Sequence, residues 1–394
     1  MKLFNRLNKL VLAVAVGTFA LSSCETSVEV NTTGAKAEKT AKTAKSSHKL
    51  QVAVFNGDGA GAISVIETKE ALRIDNGIEP LEISAAEIQQ GKLSEIDVII
   101  FPGGSGSKEL NNLGKSGKEK IRKFVLEDGK GVVGICAGSF LLSSTPGYPS
   151  LQLGSVKVID RAHYARGRGL VEFKLSDEGY KIFPELKGKP QFAQYYDGPV
   201  MEAVETSTKF TELGEYVTDI HANKGAPENI TPGKVFVYND TPGKGRLFAI
   251  AGHPESTPGI RWMIPRMARW AANSELVSYN EKWIRPEINT KAILFDSEMK
   301  KYEKSVWWHL FSDDSGEQID AMDKLHKIRS RPAVRWTKGM LRDTNPKTRI
   351  HAAKILMLTE YTDAYADVKS AYEVEKDAEV KKVLKEAMDF LSTF

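Results

Sequence analysis

Cysteine is nearly missing from this sequence: Cys24 and Cys136 are its two copies in 394 residues. A scaffold stapled by several disulfides is therefore excluded. The 7 histidines show no metal-ligand spacing and no H-E-x-x-H, so no zinc centre is expected. Charge of one sign is also lacking, since 55 basic against 51 acidic residues leave a formal +4. With no basic stripe interleaved with aromatics, a dedicated nucleic-acid binder is not expected. A dinucleotide fingerprint is absent as well. Gly57-Asp58-Gly59-Ala60-Gly61 has the spacing G-x-G-x-G rather than G-x-G-x-x-G, and Asp58 would repel a pyrophosphate. That run reads as a tight turn over a sheet edge, and no cofactor is expected.

What is present begins with an ordinary globular composition, 41% hydrophobic and 27% charged, over a length that suggests two domains. Lys2, Arg6 and Lys9 precede an apolar run at residues 10–21, the layout of a secretory signal and too short to span a bilayer. The run ends Leu21-Ser22-Ser23-Cys24, which resembles the lipobox of bacterial lipoproteins. The resemblance implies removal of residues 1–23, a lipid on Cys24, and a protein exported to the bacterial cell envelope and anchored to a membrane. The alternative is an ordinary signal peptide with a cysteine beside its cleavage site. If Cys24 is lipidated, Cys136 has no disulfide partner, and a lone thiol in an oxidising compartment is either buried or used.

Residues 25–48 are rich in Thr, Lys, Ala and Ser and almost empty of large apolar residues. They read, with Cys24, as a tether whose reach is on the order of 25–30 Å. From residue 49 short apolar strands alternate with helices. Strands are expected at 50–55, 79–83, 96–101 and 131–135, with helices at 63–74 and 117–126. The pattern predicts an α/β domain over 49–276, a parallel sheet flanked by helices with its site beyond the carboxyl ends of the strands. The middle is less regular, with strands at 156–159, 170–175 and 235–238. A strand at 246–251 restores the sheet, and a helix at 259–272, kinked at Pro265, closes it. Residues 277–304 read as a connector. The remainder, 305–394, is helical, and an acid followed by small and apolar residues recurs about every 30–35 residues: Asp314…Ala321…Leu325, Asp343…Ala353…Leu356, Asp377…Ala387…Leu391. It resembles HEAT repeats; a plain helical bundle is the other reading. Either could dock a protein partner.

Gly134-Ile135-Cys136-Ala137-Gly138 follows a buried strand and precedes an apolar helix. This is a nucleophile elbow with cysteine in the serine's place, its glycines relieving crowding at the turn. A helix starting after Cys136 favours the thiolate. Gly252-His253-Pro254-Glu255 follows the 246–251 strand. Pro254 is expected to keep His253 extended, so that His253 and Glu255 point the same way and the carboxylate orients the imidazole as base. Pro102-Gly103-Gly104 follows the 96–101 strand, and backbone N–H groups of Gly103 or Gly104 with that of Ala137 are the expected oxyanion donors.

GICAG, PGG and HPE after successive strands resemble class I glutamine amidotransferases, and most closely the N-terminal domain of some biotin–protein ligases. Asn56–Gly61, Ala165–Gly169 and Tyr195-Tyr196-Asp197-Gly198-Pro199 carry the same likeness, which covers residues 49–275. It implies a flavodoxin-like fold and a Cys136–His253–Glu255 centre that hydrolyses a carboxamide or related acyl group of a small molecule or peptide through a thioester. No biotin-ligase or synthetase domain follows, so neither biotin ligation nor delivery of ammonia to an acceptor is expected. His163, Arg166 and Arg168 either bind a substrate carboxylate or form a solvated loop. Tyr195, Tyr196 and Asp197 either line the pocket or pack. A non-catalytic binding module on the same fold is the competing reading.

Overall fold

A computed structural model describes residues 49–205 and 209–393. The expected leader, Cys24 and the tether lie outside the described residues.

The alternation of strands and helices yields a mixed α/β fold whose central strands are parallel and flanked by helices. β1 (Leu50–Phe55), α1 (Ala62–Leu72), β2 (Ile78–Ile83), α2 (Ala85–Gln90), β3 (Val98–Phe101), α3 (Gly106–Leu126) and β4 (Gly131–Ile135) come first. Then follow α4 (Ala137–Leu142), β5 (Val156–Val158), β6 (Arg168–Leu175), α5 (Asp177–Ile182), β7 (Phe192–Tyr196), β8 (Met201–Ala203), β9 (Thr211–Tyr216), β10 (Val235–Asp240) and β11 (Arg246–Ile250). Strands lie in the order β2-β1-β3-β4-β11, all parallel. Every residue of β3 and β4 is buried, as a parallel sheet covered on both faces requires. Phe101 pairs with Gly134 and Ile135 with Ile250, so the loops after β3, β4 and β11 leave the sheet side by side.

Beyond β11 the sheet turns antiparallel through β10, β9 and β6, with β7 also paired to β6 and β8 bridging β5 to β10. β7, β8 and β9 are additions to the strands legible in sequence; β8 has three residues, and β9 (TELGEY) carries glycine and two acids, a composition depleted in strands. Pro265 does not kink a helix. It is the third residue of α6 (Met263–Ala271), in the first turn, where its missing N–H has no intrahelical partner to lose.

The segment expected as a connector contributes structure of its own. β12 (Ile293–Leu294) pairs antiparallel with β6, and α7 (Ser297–Trp307) is capped by Asp296, whose side chain accepts from the Met299 N–H. Helices α8 (Ser315–Lys327), α9 (Arg331–Met340), α10 (Pro346–Leu358), α11 (Tyr365–Val374) and α12 (Ala378–Leu391) follow. The acid–small–apolar period falls on α8, α10 and α12, and its apolar members Ala321, Leu325, Ala353, Leu356, Ala387 and Leu391 share one core. Asp314 and Asp377 cap α8 and α12, whereas α10 is capped by Asn345 rather than by Asp343.

Candidate active site

Cys136 occupies the turn between β4 and α4 with φ 49° and ψ −102°, a conformation that costs a non-glycine residue roughly 1–3 kcal/mol. It is held there because its N–H donates to the Ile250 carbonyl at 2.9 Å, tying the elbow to β11. A Cβ on Gly138 would lie 2.1 Å from the Phe101 carbonyl oxygen, so the glycine lets α4 close onto β3. The Cys136 thiol is 5% exposed and lies 3.5 Å from the Tyr196 carbonyl oxygen as its donor.

His253 and Glu255 come together, although by a different backbone from the one expected. Pro254–Ser256 is a 3-10 turn rather than an extended segment; proline suits its first position because the N–H there is unpaired anyway. The turn still brings His253 Nδ1 within 2.7 Å of Glu255 Oε1, both residues buried. The His253 N–H donates to the Gln194 carbonyl at 2.7 Å, and the Thr257 hydroxyl donates to the His253 carbonyl at 2.7 Å. The backbone on both sides of the ring is therefore fixed. Burial by itself would lower the His253 pKa; the Glu255 carboxylate, and then the neighbouring Cys136, outweigh it and push it up to about 10. Burial would likewise raise Glu255, but His253, then Arg331 and Ser64, hold its carboxyl below the usual value. His253 Nε2 is buried with no hydrogen-bond partner of acceptable geometry.

Ser64, on α1, joins the centre without having been legible in the sequence. Its hydroxyl donates to Glu255 Oε1 at 2.9 Å and accepts from the Gly103 N–H at 2.9 Å. Of the two glycines offered as alternative oxyanion donors, this engages Gly103. The Gly103 N–H is taken, while those of Gly104 and Ala137 meet no acceptor among the described residues. Gly103 serves the centre by its bareness instead. A Cβ there would lie 2.4 Å from His253 Cε1, so its absence makes room for the imidazole.

Most of the candidate substrate-binding residues are engaged within the protein. Arg166 is 1% exposed, neither solvated nor open to a ligand; it pairs with Asp160 and donates to the Ile220 and Pro227 carbonyls. His163 pairs with Asp160 as well, at 2.7 Å. Arg168 pairs with Glu303 of α7 and lies over the Phe295 ring, so it fastens the helical tail. Tyr195 packs in the core, its hydroxyl donating to the Gly198 carbonyl at 2.6 Å. Asp197 accepts from the Gly167 N–H at 2.9 Å. Tyr196 keeps an exposed ring while its carbonyl covers the sulfur. Among the described residues no group of three or more His, Cys, Asp or Glu is placed to hold a metal ion.

Residues 50–153 match the family described as "Biotin-protein ligase, N terminal". The matched stretch contains β1 to β4, the Gly103–Gly104 loop and Cys136 but ends before His253. No curated protein matches the chain. Among solved structures it is similar to a β-galactosidase from Bacillus circulans sp. alkalophilus, with 16% identity, 58% of this chain, 32% of that one and TM-score 0.35. An exo-β-1,4-mannosidase from Opitutaceae bacterium strain TAV5 matches with 11% identity, 57% of this chain, 36% of that one and TM-score 0.34. A cytoplasmic protein of Salmonella typhimurium matches with 12% identity, 59% of this chain, all of that one and TM-score 0.36. The chain thus spans only about a third of the length of the two glycosidases, and all three superpose loosely.

Proposed function

We propose that this protein is a cysteine-dependent hydrolase of carboxamides or related acyl groups, with Cys136, His253 and Glu255 as its centre. The observation that carries the reading is the buried His253–Glu255 pair beside a cysteine held at positive φ on a strand-to-helix elbow. A buried structural cysteine needs neither feature. With His253 charged in the resting site, the sulfur attacks the substrate carbonyl carbon as thiolate. The C–N bond then breaks as the imidazolium passes its proton to the departing amine, leaving a thioester. Water attacks the thioester, giving one proton to His253; the acid leaves and the thiolate returns. Gly104 and Ala137 are the backbone donors available to the oxyanion. Because the Tyr196 carbonyl lies over the sulfur, the segment after β7 has to yield to admit substrate.

Glutamine and short carboxamides are the first substrates to test, with ammonia release and mass-spectrometric trapping of the thioester as readouts. Turnover should vanish in Cys136→Ala and fall strongly in His253→Ala. Full turnover in Cys136→Ala on the true substrate would end this reading. The burial of the sulfur favours the second reading, a binding module on the same fold, for which ligand binding would survive Cys136→Ala with no turnover in the native chain.

The finer features belong to the same proposal. The strand order supports a flavodoxin-like arrangement, and the period on α8, α10 and α12 supports a HEAT-like tail. The basic–apolar–LSSC order at the amino end supports a lipid anchor on Cys24 in a bacterial envelope. No helix among the described residues is long and apolar enough to cross a membrane. Incorporation of labelled palmitate, lost in Cys24→Ala, would test the anchor.

A further inference from the structure

The helical tail reaches the centre. Arg331, the first residue of α9, is half-buried against α1, where its Nε donates to Glu67 Oε2 at 3.1 Å and its Nη2 pairs with the same oxygen. From that anchor Nη2 lies 3.8 Å from Glu255 Oε1, the oxygen that also receives His253 Nδ1 and the Ser64 hydroxyl. Glu67 is further held by the Ser256 hydroxyl, which belongs to the turn carrying Glu255. The neighbouring tail residue Arg329 accepts, through its carbonyl, the Gln194 side-chain amide at 3.2 Å, and the Gln194 carbonyl takes the His253 N–H. A third tie runs through Arg261. Its Nε donates to the Glu255 carbonyl at 2.9 Å, and its Nη1 reaches the Glu360 carbonyl and the Thr362 hydroxyl of the tail. Between these groups lies a cavity of about 40 Å³, lined by Glu67, Glu255, Arg261, Arg331, Glu360 and Tyr361, large enough for a water.

We propose that Arg331 is a positioning residue of the Cys136–His253–Glu255 centre, so that the tail completes the site rather than merely following it. The inference rests on the hydrolase reading above. A lone buried carboxylate beside an imidazole tends to protonate, because burial penalises its charge. A guanidinium fixed by Glu67 opposes that tendency and keeps Glu255 ionised and oriented, and Glu255 in turn holds the proton on His253. The charged and titratable groups around Arg331 are Glu67 from α1, Glu255 and Arg261 from the segment after β11, Cys136 from the elbow, and His326, Arg329, Glu360 and Tyr361 from the tail.

The test is the pH dependence of Cys136 alkylation by iodoacetamide in the full chain, read on the Cys136 peptide by mass spectrometry so that Cys24 does not contribute. Four proteins are compared: native, Arg331→Met, Arg331→Lys and His253→Ala. Arg331→Met is expected to move the alkylation limb to higher pH by about one unit, a roughly tenfold slower reaction at pH values on that limb with the alkaline plateau unchanged. Arg331→Lys, which keeps the charge, should recover most of that loss. A purely structural role would lower the melting temperature and leave the profile of the folded protein in place, and that result would overturn the inference. If His253→Ala leaves the profile as in the native chain, the hydrolase reading itself fails, independently of Arg331.

Discussion

Ser64 stands between two loops, giving its proton to Glu255 and taking that of the Gly103 amide, with 2.9 Å on each side. It is buried on α1, far in sequence from both partners. Ser64→Ala removes a donor from a buried carboxylate and strands a buried N–H, each loss worth about 1–3 kcal/mol. The variant should therefore melt lower, and turnover should fall without being abolished, because His253, Glu255 and Cys136 remain. Ser64→Thr keeps the hydroxyl and should retain more of both. Thermal melts of the two variants, compared with ammonia release, check this; an unaltered melt in Ser64→Ala would mean that the bridge contributes nothing.

The bareness of Gly103 leads to a sharper expectation. A methyl there would sit 2.4 Å from His253 Cε1, and the ring has no room to retreat because Glu255 holds its Nδ1 and the Gln194 carbonyl holds its backbone. Overpacking of this kind costs roughly 1–3 kcal/mol. Since the ring itself must move, Gly103→Ala should lose far more turnover than stability. Gly91→Ala is the control: nothing lies within 4 Å of a Cβ there, although its positive φ still strains the fold. The comparison of melting temperature with rate in the two variants decides the matter.

How much of this was legible beforehand divides along contact distance. β1, β3, β4 and β11, the elbow and the His-Pro-Glu turn announce themselves locally, through runs of buried aliphatics and short glycine or proline motifs. Pairing of His253 with Glu255 was legible for the same reason, being two residues apart, even though the backbone that achieves it is a 3-10 turn and not a strand. Ser64 and Arg331 were not. Each lies in an ordinary helix, and what makes it part of the centre is a neighbour 191 residues away for Ser64 and 264 residues away, at Glu67, for Arg331. Arg166 and Arg168 stood open between binding a substrate carboxylate and forming a solvated loop. The structure pairs them with Asp160 and with Glu303, the latter 135 residues away and beyond local reading.

The His253 proton gives the centre a pH signature. Its folded pKa is pushed up to about 10 from an ordinary 6.5, despite burial, chiefly by the Glu255 carboxylate. The folded chain therefore keeps a proton that the unfolded chain releases. The resulting stabilisation is complete below about 6.5 and is lost as pH rises through about 10. In NMR the His253 Cε1–H resonance should stay in its protonated position between about pH 5 and 8. In Glu255→Gln the carboxylate is gone while burial remains, so the resonance should titrate within that range and the alkaline loss of stability should shrink. An unchanged titration in Glu255→Gln would remove the carboxylate from the account.

Glu109 carries a linkage of the same sign in a lower pH window. It lies in α3, 0% exposed, and neither carboxylate oxygen has a hydrogen-bond partner among the described residues. Burial pushes its pKa up to about 8 from an ordinary 4.5, so at neutral pH it is a neutral acid. Between those values the unfolded chain has released the proton and the native chain retains it, so rising pH favours unfolding, by up to about 1.4 kcal/mol per pH unit. Glu109→Gln is close in shape and cannot ionise. It should abolish this slope, equalling the native protein near pH 5 within the cost of burying an amide and exceeding it near pH 9. Urea midpoints at about those two pH values measure the difference. A native protein whose midpoint does not fall relative to Glu109→Gln over that interval would mean that Glu109 has found a partner and is ionised in the fold.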